Sequence, residues 1–454
     1  MCLLENQNDD KEESFDNDND NQANQQSKSI QNIMDYIPTT DKDKQEMLKQ
    51  IGVKSIADLI HCIKPCLQDK LKLSKPMSEL ELVDHLSNLS QKNRPLRYFI
   101  GAGSYNHYIP AAVAHLILRG EFLTGYTPYQ PEMSQGTLQA MYEFQSFICL
   151  LTGMDVSNGS LYDGSSALAE AVLLSSSYKV RNSICVKEGL NPEYFKVLKT
   201  YCQGADLTVT NEINENTACV IAQNPDFYGN IENLQYLSEQ AHNAGALFVV
   251  CVTEPTSLAL LEPPGNYGAD IVAGEGQSFG IPVNFGGPYL GFIAVKDFLL
   301  KKIPGRICGM TTDSKGNKGF VLTYQAREQH IRREKATSNI TTNVALMAIA
   351  SAIYLSLMGR TGLISVAKLS YRRAHLLQEK LIEAGLTALN AKPFYNEFIM
   401  QATPGSSKKI LSNLLKNGIL GGLELGEDKM LICCTEMNRV EDIASFASIT
   451  KEAI

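Results

Sequence analysis

Two short stretches concentrate side chains able to do chemistry. Gly101 to Pro110 carries Tyr105 and His107, and Tyr126 to Gly136 carries Tyr126, Tyr129, Gln130 and Glu132. Phenol, imidazole, amide and carboxylate groups donate and accept hydrogen bonds. Two prolines, Pro128 and Pro131, stiffen the second stretch so that its polar groups can point outward. An absence is as informative. From Thr200 to Val295 there is neither lysine nor arginine, although even spacing of 41 basic residues in 454 would put roughly eight or nine there. That stretch offers no amine for covalent chemistry on a carbonyl.

Other groupings carry less specific signals. Arg327, His330, Arg332, Arg333 and Lys335 read as a basic helical stretch, either a receiver for an acidic partner or a carboxylate, or a salt-bridged face. Asn339 and Thr341 follow close by. The turn Tyr162 to Ser166 leads into a helix at Ala167 to Ser177, whose N-terminal amides either take a phosphate or are simply capped. Gly274, Gly276 and Gly280 miss the spacing of a dinucleotide loop, and Gly101 and Gly103 lack a third glycine. The seven histidines never fall at metal-ligand spacing. An acidic chain with no basic stripe among aromatics gives no sign of nucleic-acid binding.

The elements that position these residues follow from periodicity. Thr39 and Thr40 cap a helix running to Ile51 that Gly52 closes, and Ser78 caps another with Leu82, Val83, Leu86 and Leu89 on one face. A longer helix runs from Gln135 to Thr152, with Leu138, Met141, Tyr142 and Ile148 inward and Gly153 as its stop. Short β-branched runs then alternate with helices: Ser183 to Val186, Ala205 to Val209, Ala218 to Ala222, a helix Asn233 to Asn243, Ala246 to Val252, Asp270 to Ala273 and Leu290 to Val295. Such alternation predicts a mostly parallel sheet covered on both faces. From Thr361 the chain returns to helix, paired strands and helix, with a strand at Lys429 to Cys434 and a last helix at Arg439 to Ala453.

Composition bounds the class. A chain of 454 residues exceeds the size at which one core keeps growing, so a large and a smaller domain are expected. Eleven cysteines, with Cys62 and Cys66 four apart and Cys433 beside Cys434, suit neither a disulfide framework nor a zinc site and read as reduced thiols. Residues 1–33 hold eight acids and two lysines, so they account for −6 of the net −8. Rich in Asn and Gln and poor in apolar residues, they read as a disordered acidic tail, and the absence of a basic, acid-poor leader argues against targeting. The uncharged apolar run Val344 to Met358 is too short to span a bilayer and reads as a buried helix. No membrane role and a cytoplasmic location are expected.

Longer strings carry a family resemblance. Gly101-Ala102-Gly103-Ser104-Tyr105-Asn106-His107-Tyr108-Ile109-Pro110, Tyr126-Thr127-Pro128-Tyr129-Gln130-Pro131-Glu132-Met133-Ser134-Gln135-Gly136, Leu151 to Val156, Gly280 to Pro288 and Gln325 to Asn343 resemble the N-terminal subunit of the glycine decarboxylase P-protein, over residues 34–450. The resemblance implies an α/β fold of the pyridoxal phosphate (PLP) dependent transferase kind. This is the aspartate aminotransferase-like fold type I, a large domain at residues 101–360 followed by a small C-terminal α/β domain at 361–454. A helical segment at 34–100 precedes both. In that superfamily the PLP-bearing lysine precedes a Gly-Pro-x-x-Gly-type return strand, here Gly287 to Gly291, and Gly274 to Phe285 contains none. Nor does an acid stand on the strand expected to pair the pyridine nitrogen, where Cys251, Val252 and Thr253 lie with Glu254 only nearby.

The family's split form implies a division of labour. PLP is bound covalently by a second subunit, and this chain is the half without it. Together they decarboxylate glycine, PLP acting as electron sink, and pass the aminomethyl group to the lipoylated H-protein, the assembly being expected as α2β2. Tyr105, His107, Tyr126, Tyr129, Gln130 and Glu132 are then expected to line the mouth of the partner's PLP site, or else to pack the subunit interface. Two rival readings stand beside this one: a PLP enzyme acting alone through Lys296, and a structural or regulatory subunit without a part in catalysis.

Overall fold

A computed structural model describes residues 39–60, 74–284, 286–336, 338–340 and 343–454. The acidic segment 1–33, Cys62, Cys66 and Thr341 lie outside the described residues. The chain divides into two units, Met1–Ser90 and Gln91–Ile454.

Within the first unit, helices Asp41–Ile51 and Glu79–Ser90 start where side-chain oxygens satisfy the first free amides. The Thr40 hydroxyl accepts from the Asp43 amide, and Ser78 and Glu81 cap each other reciprocally. Gly52 ends the first helix with a left-handed backbone, φ 86°. Leu82, Val83, Leu86 and Leu89 are exposed.

The second unit is built on a seven-stranded sheet: β1 (Val156–Ser157), β2 (Ser183–Val186), β3 (Thr208–Thr210), β4 (Thr217–Gln223), β5 (Leu247–Val252), β6 (Ile271–Glu275) and β7 (Gly291–Val295), in the order β1-β7-β6-β5-β4-β2-β3. β2 to β6 run parallel, and β7 returns antiparallel to β6 and pairs antiparallel with β1. The central strands are buried on both faces, which is why they read as unbroken apolar runs. Alternation sorts their side chains between two cores. Val220, Phe248 and Val250 pack with Phe144, Ile148 and Tyr354, whereas Ile221, Leu247 and Val249 pack with Leu168, Val172 and Leu198. Helices Gln135–Thr152 and Ala345–Glu383 therefore cover one face, and Gly164–Lys179 and Pro192–Gly204 the other.

The uncharged run at Val344 to Met358 proves to be the front of a 39-residue helix, Ala345–Glu383, longer than the sequence reading allowed. By length and composition it could cross a membrane. It is broken at Gly359, φ 55° and ψ −174°, and it buries Ala348, Ile349, Tyr354 and Leu355 before the break and Ala367, Ala374 and Leu377 after it, which makes it a core helix. Its second half packs with the antiparallel strands Glu397–Gln401 and Lys429–Cys433 and with helices Ser407–Lys416 and Val440–Ala453, around Phe398, Met400, Ile410 and Phe446. Arg97–Tyr98 joins this region as a strand parallel to Ile419–Leu420. The hairpin Ile307–Thr312 with Lys318–Thr323 was not foreseen.

Candidate functional site

In a parallel sheet the carboxyl ends of the strands open a crevice. Here Thr253 and Glu254 follow β5, Glu275 ends β6, and the helix Gly164–Lys179 begins beside them. Its cap is Asp163, whose Oδ1 accepts from the Ser166 amide at 2.8 Å. The Gly164 amide donates to Glu275 Oε2 at 2.9 Å, and Glu275 Oε1 accepts from the amides of Leu290 at 2.8 Å and Gln277 at 3.0 Å. Of the two readings of the Tyr162 to Ser166 turn, the structure supports the cap, with two carboxylates of the chain holding the amides. Burial pushes the Glu275 carboxyl up to about 7, against the lowering pull of the Gly164 and Leu290 amides.

A loop from Gly101 to Tyr108 crosses the same region and is held from several sides. The Ala102 amide donates to Glu397 Oε1 at 2.7 Å, and Asn191 Nδ2 donates to the Ala102 carbonyl at 3.0 Å. Gln277 clasps the Tyr105 backbone, its Oε1 accepting from the amide at 2.9 Å and its Nε2 donating to the carbonyl at 3.0 Å. The Tyr105 hydroxyl donates to Glu397 Oε2 at 2.9 Å. Gly101 has to be glycine, since a Cβ there would sit 2.5 Å from the Tyr105 ring. Burial raises Glu397 to about 8, opposed by the Ala102 and Tyr105 hydrogen bonds, and burial with the Glu397 and Glu254 charges holds the Tyr105 phenol well above its ordinary range.

His107 sits between two acids. Its Nε2 lies 3.1 Å from Glu254 Oε2 and its Nδ1 2.7 Å from Glu436 Oε2. Burial alone would lower its pKa, but the two carboxylates outweigh burial and lift it to about 10, so the imidazolium persists at neutral pH. Burial also works to raise Glu436, and the His107 cation with its hydrogen bond holds that carboxyl below its usual value instead. Ser278 Oγ and the Thr256 amide donate to Glu254 at 3.1 and 2.9 Å. Tyr105 and His107 are thus 3% and 6% exposed, their polar atoms engaged inside the chain.

The second stretch lies open instead. Tyr126 and Tyr129 are 78% and 50% exposed, and Gln130 and Glu132 are exposed beside them. Tyr129 rests on Arg306, whose Nη2 donates to the phenol oxygen at 3.2 Å while the guanidinium stands 5.6 Å from the ring centre. Gln135 anchors the segment by donating to the carbonyls of Pro131 and Phe320 at 2.7 and 2.8 Å. The six sequence candidates therefore separate into a buried pair and an exposed four.

The basic run is not a continuous helix, contrary to the sequence reading. It forms short turns at Gln325–Arg327, Gln329–Arg332 and Arg333–Lys335, broken by an extended Glu328 and by Arg333 at φ 53°. Arg327 turns inward, donating to the Ile303 carbonyl and, at 2.6 Å, to that of Gly305. His330 lies 3.8 Å from the buried Glu328 carboxylate and edge-on to Tyr129, while Arg332, Arg333, Lys335 and Asn339 are exposed. Lys296 is far from the crevice. The register pairs Val295 with Ile271, the opening residue of β6, so Lys296 stands at the amino end of the parallel strands, its Nζ donating to the Gly153 carbonyl at 2.9 Å. Sequence reasoning passed over Glu397 and Glu436; an acid at the edge of an apolar run, as at Glu397, was the available signal.

Comparison with known proteins agrees on the family. A family profile described as the glycine cleavage system P-protein matches residues 34–450. The chain is 46% identical over 439 residues to the probable glycine dehydrogenase (decarboxylating) subunit 1 of Geobacillus kaustophilus, covering 91% of this chain and 98% of the relative. Among solved structures it is similar to glycine decarboxylase (P-protein) of the glycine cleavage system in inhibitor-bound form, with a TM-score of 0.83, 41% identity, and 93% and 100% of the two chains covered. A glutamate decarboxylase of Lactobacillus brevis, 13% identical with a TM-score of 0.64 over 85% of this chain and 95% of that one, shares the fold.

Proposed function

The chain belongs to the glycine cleavage system P-protein family, and on that premise we propose that it is the cofactor-free half of a two-subunit glycine decarboxylase. It is an enzyme subunit, and a second subunit bears PLP on a lysine. The complex, a cytoplasmic α2β2 assembly, decarboxylates glycine and transfers the aminomethyl group to the lipoyl arm of the H-protein. PLP supplies the electron sink for decarboxylation.

The observation that carries this reading is the crevice of this chain, where no lysine or arginine occurs between Thr200 and Val295 and Lys296 points away at the opposite sheet edge. The residues present do not fit PLP held as a covalent adduct. What the chain offers instead is the exposed segment with Tyr126, Tyr129, Gln130 and Glu132. Arg306 and Gln135 fix its backbone and the Tyr129 ring, so it forms a rigid polar wall for the partner's site, able to orient glycine and exclude water. Tyr105 and His107 act as positioning residues that hold the Gly101 to Tyr108 loop.

The test is glycine-dependent exchange of labelled bicarbonate, with PLP and lipoylated H-protein, by this chain alone, by the second subunit alone and by the mixture. Activity confined to the mixture is expected, and activity of this chain alone overturns the reading. Tyr129→Phe separates a working wall from a merely structural subunit: assembly and melting stay as in the parent while exchange falls, whereas unchanged exchange favours the structural role.

A further inference from the structure

A helix N-terminus at the carboxyl edge of a parallel sheet attracts anions, because unpaired amides and the helix dipole both favour negative charge. In this chain that position is filled from within. Glu275 is 1% exposed, and its carboxylate gathers amides from three places, Gly164 at the helix start, Gln277 after β6 and Leu290 at the lead into β7. Two of these amides, Gly164 and Leu290, come from distant segments and the third, Gln277, from the turn just after Glu275 itself, and backbone N–H groups aimed at one point make an anion-binding concavity. The packing around it is close: a Cβ added to Gly164 would lie 2.9 Å from Glu275 Cβ and would collide with the Tyr194 hydroxyl. No room is left there for a phosphate group alongside the carboxylate.

We propose that the Glu275 side chain is a built-in replacement for a bound phosphate, closing this chain's own crevice to phosphorylated ligands, PLP included. The proposal rests on the reading that the second subunit holds the cofactor, and it adds the device that keeps this half empty. It also accounts for a helix start with its amides gathered on one carboxylate in a stretch without the amine. The missing amine removes covalent attachment; Glu275 removes the non-covalent hold as well.

Glu275→Gly leaves the three amides facing a cavity of about the right chemistry. The probe is inorganic phosphate, titrated at constant ionic strength against chloride in mildly alkaline buffer, with the full chain and the urea midpoint as readout. Three results are expected. The parent shows no saturable response. Glu275→Gly loses midpoint in chloride and recovers most of the loss, saturably, in phosphate. Glu275→Gln, which keeps the volume filled without the charge, shows no phosphate response. If Glu275→Gly does not fold in chloride, its refolding yield is compared with and without phosphate, and rescue by phosphate alone supports the proposal. Saturable binding of phosphate by the parent overturns it, as does a Glu275→Gly variant indifferent to phosphate in both midpoint and refolding yield. These results are independent of the exchange assay, so failure here leaves the two-subunit reading to stand or fall on the mixture experiment.

Discussion

Replacing His107 with alanine removes the cation seated between Glu254 and Glu436. All three side chains are almost wholly buried, at 2%, 3% and 8% exposure. Deleting one partner of a buried ion pair costs about 3–5 kcal/mol, because the charge left behind is uncompensated. The low end of that range applies here. Glu254 keeps the Ser278 hydroxyl and the Thr256 amide, and Glu436 keeps the Tyr108 amide at 2.6 Å and the Ser370 hydroxyl at 3.2 Å. We expect His107→Ala to lower unfolding stability by about 3 kcal/mol at neutral pH, read from urea denaturation by circular dichroism. Adding Glu436→Gln to that variant removes one of the two stranded charges and should restore on the order of 1–2 kcal/mol, a coupling normal for residues in contact. The pH dependence has a definite sign. The folded-state pKa of His107, about 10, lies above its ordinary 6.5, so its stabilisation is complete below 6.5 and lost as pH rises through 10. The gap between parent and variant should therefore narrow from pH 7 towards pH 10. A loss under about 1 kcal/mol, or no recovery on adding Glu436→Gln, would refute the buried imidazolium.

Two further outcomes follow from buried or crowded positions. Glu170 is 1% exposed, its Oε1 has no hydrogen-bond partner among the described residues, and burial pushes its carboxyl up to about 7 against a lowering bond from Ser338. Its contribution is complete below its ordinary 4.5 and lost as pH rises through 7, so Glu170→Gln should match the parent near pH 4 and exceed it by about 1–3 kcal/mol at pH 8.5 in urea midpoints; a pH-independent difference counts against it. Gly229 and Gly426 share a left-handed backbone, φ 86° and 84°, but a Cβ at Gly229 would collide with the Glu397 carbonyl whereas Gly426 faces open space. Gly426→Ala should cost about 1–2 kcal/mol and Gly229→Ala more than about 4, by soluble yield and urea midpoint, and equal costs would deny the close approach.

The large sheet was legible because its strands are buried on both faces, so Ser183–Val186 and Leu247–Val252 announce themselves by composition alone. The caps at Thr40, Ser78, Gly52 and Gly153 were legible for a local reason too, since their partners lie within one helical turn. β3 begins at Thr208 rather than Ala205 because Asp206 takes a left-handed turn, φ 55°. The hairpin at Ile307–Thr323 escaped notice because much of its surface is exposed and polar, its tip set by Asp313 accepting from the Lys315 and Asn317 amides. The interior of the site was the least legible. Tyr105 meets Glu397 across 292 residues and His107 meets Glu436 across 329, and no periodicity carries information over such separations. The sequence reading thus found Tyr105 and His107 as residues of interest while leaving their burial for the structure to show.

The carboxylate of Glu275 at the start of the helix Gly164–Lys179 has a thermodynamic consequence of its own. A diffusible anion stabilises a protein by an amount that grows with the logarithm of its concentration, about 2.7 kcal/mol at a hundred times its dissociation constant. An anion tethered to the backbone has an effective concentration fixed by the chain itself. Folding at this helix end is therefore indifferent to how much phosphorylated ligand the surroundings contain. If the cofactor resides on a second subunit, as proposed above, the stability of this helix end does not depend on the supply of that cofactor, whereas a chain that binds a phosphorylated ligand there loses part of its stability when the ligand is scarce.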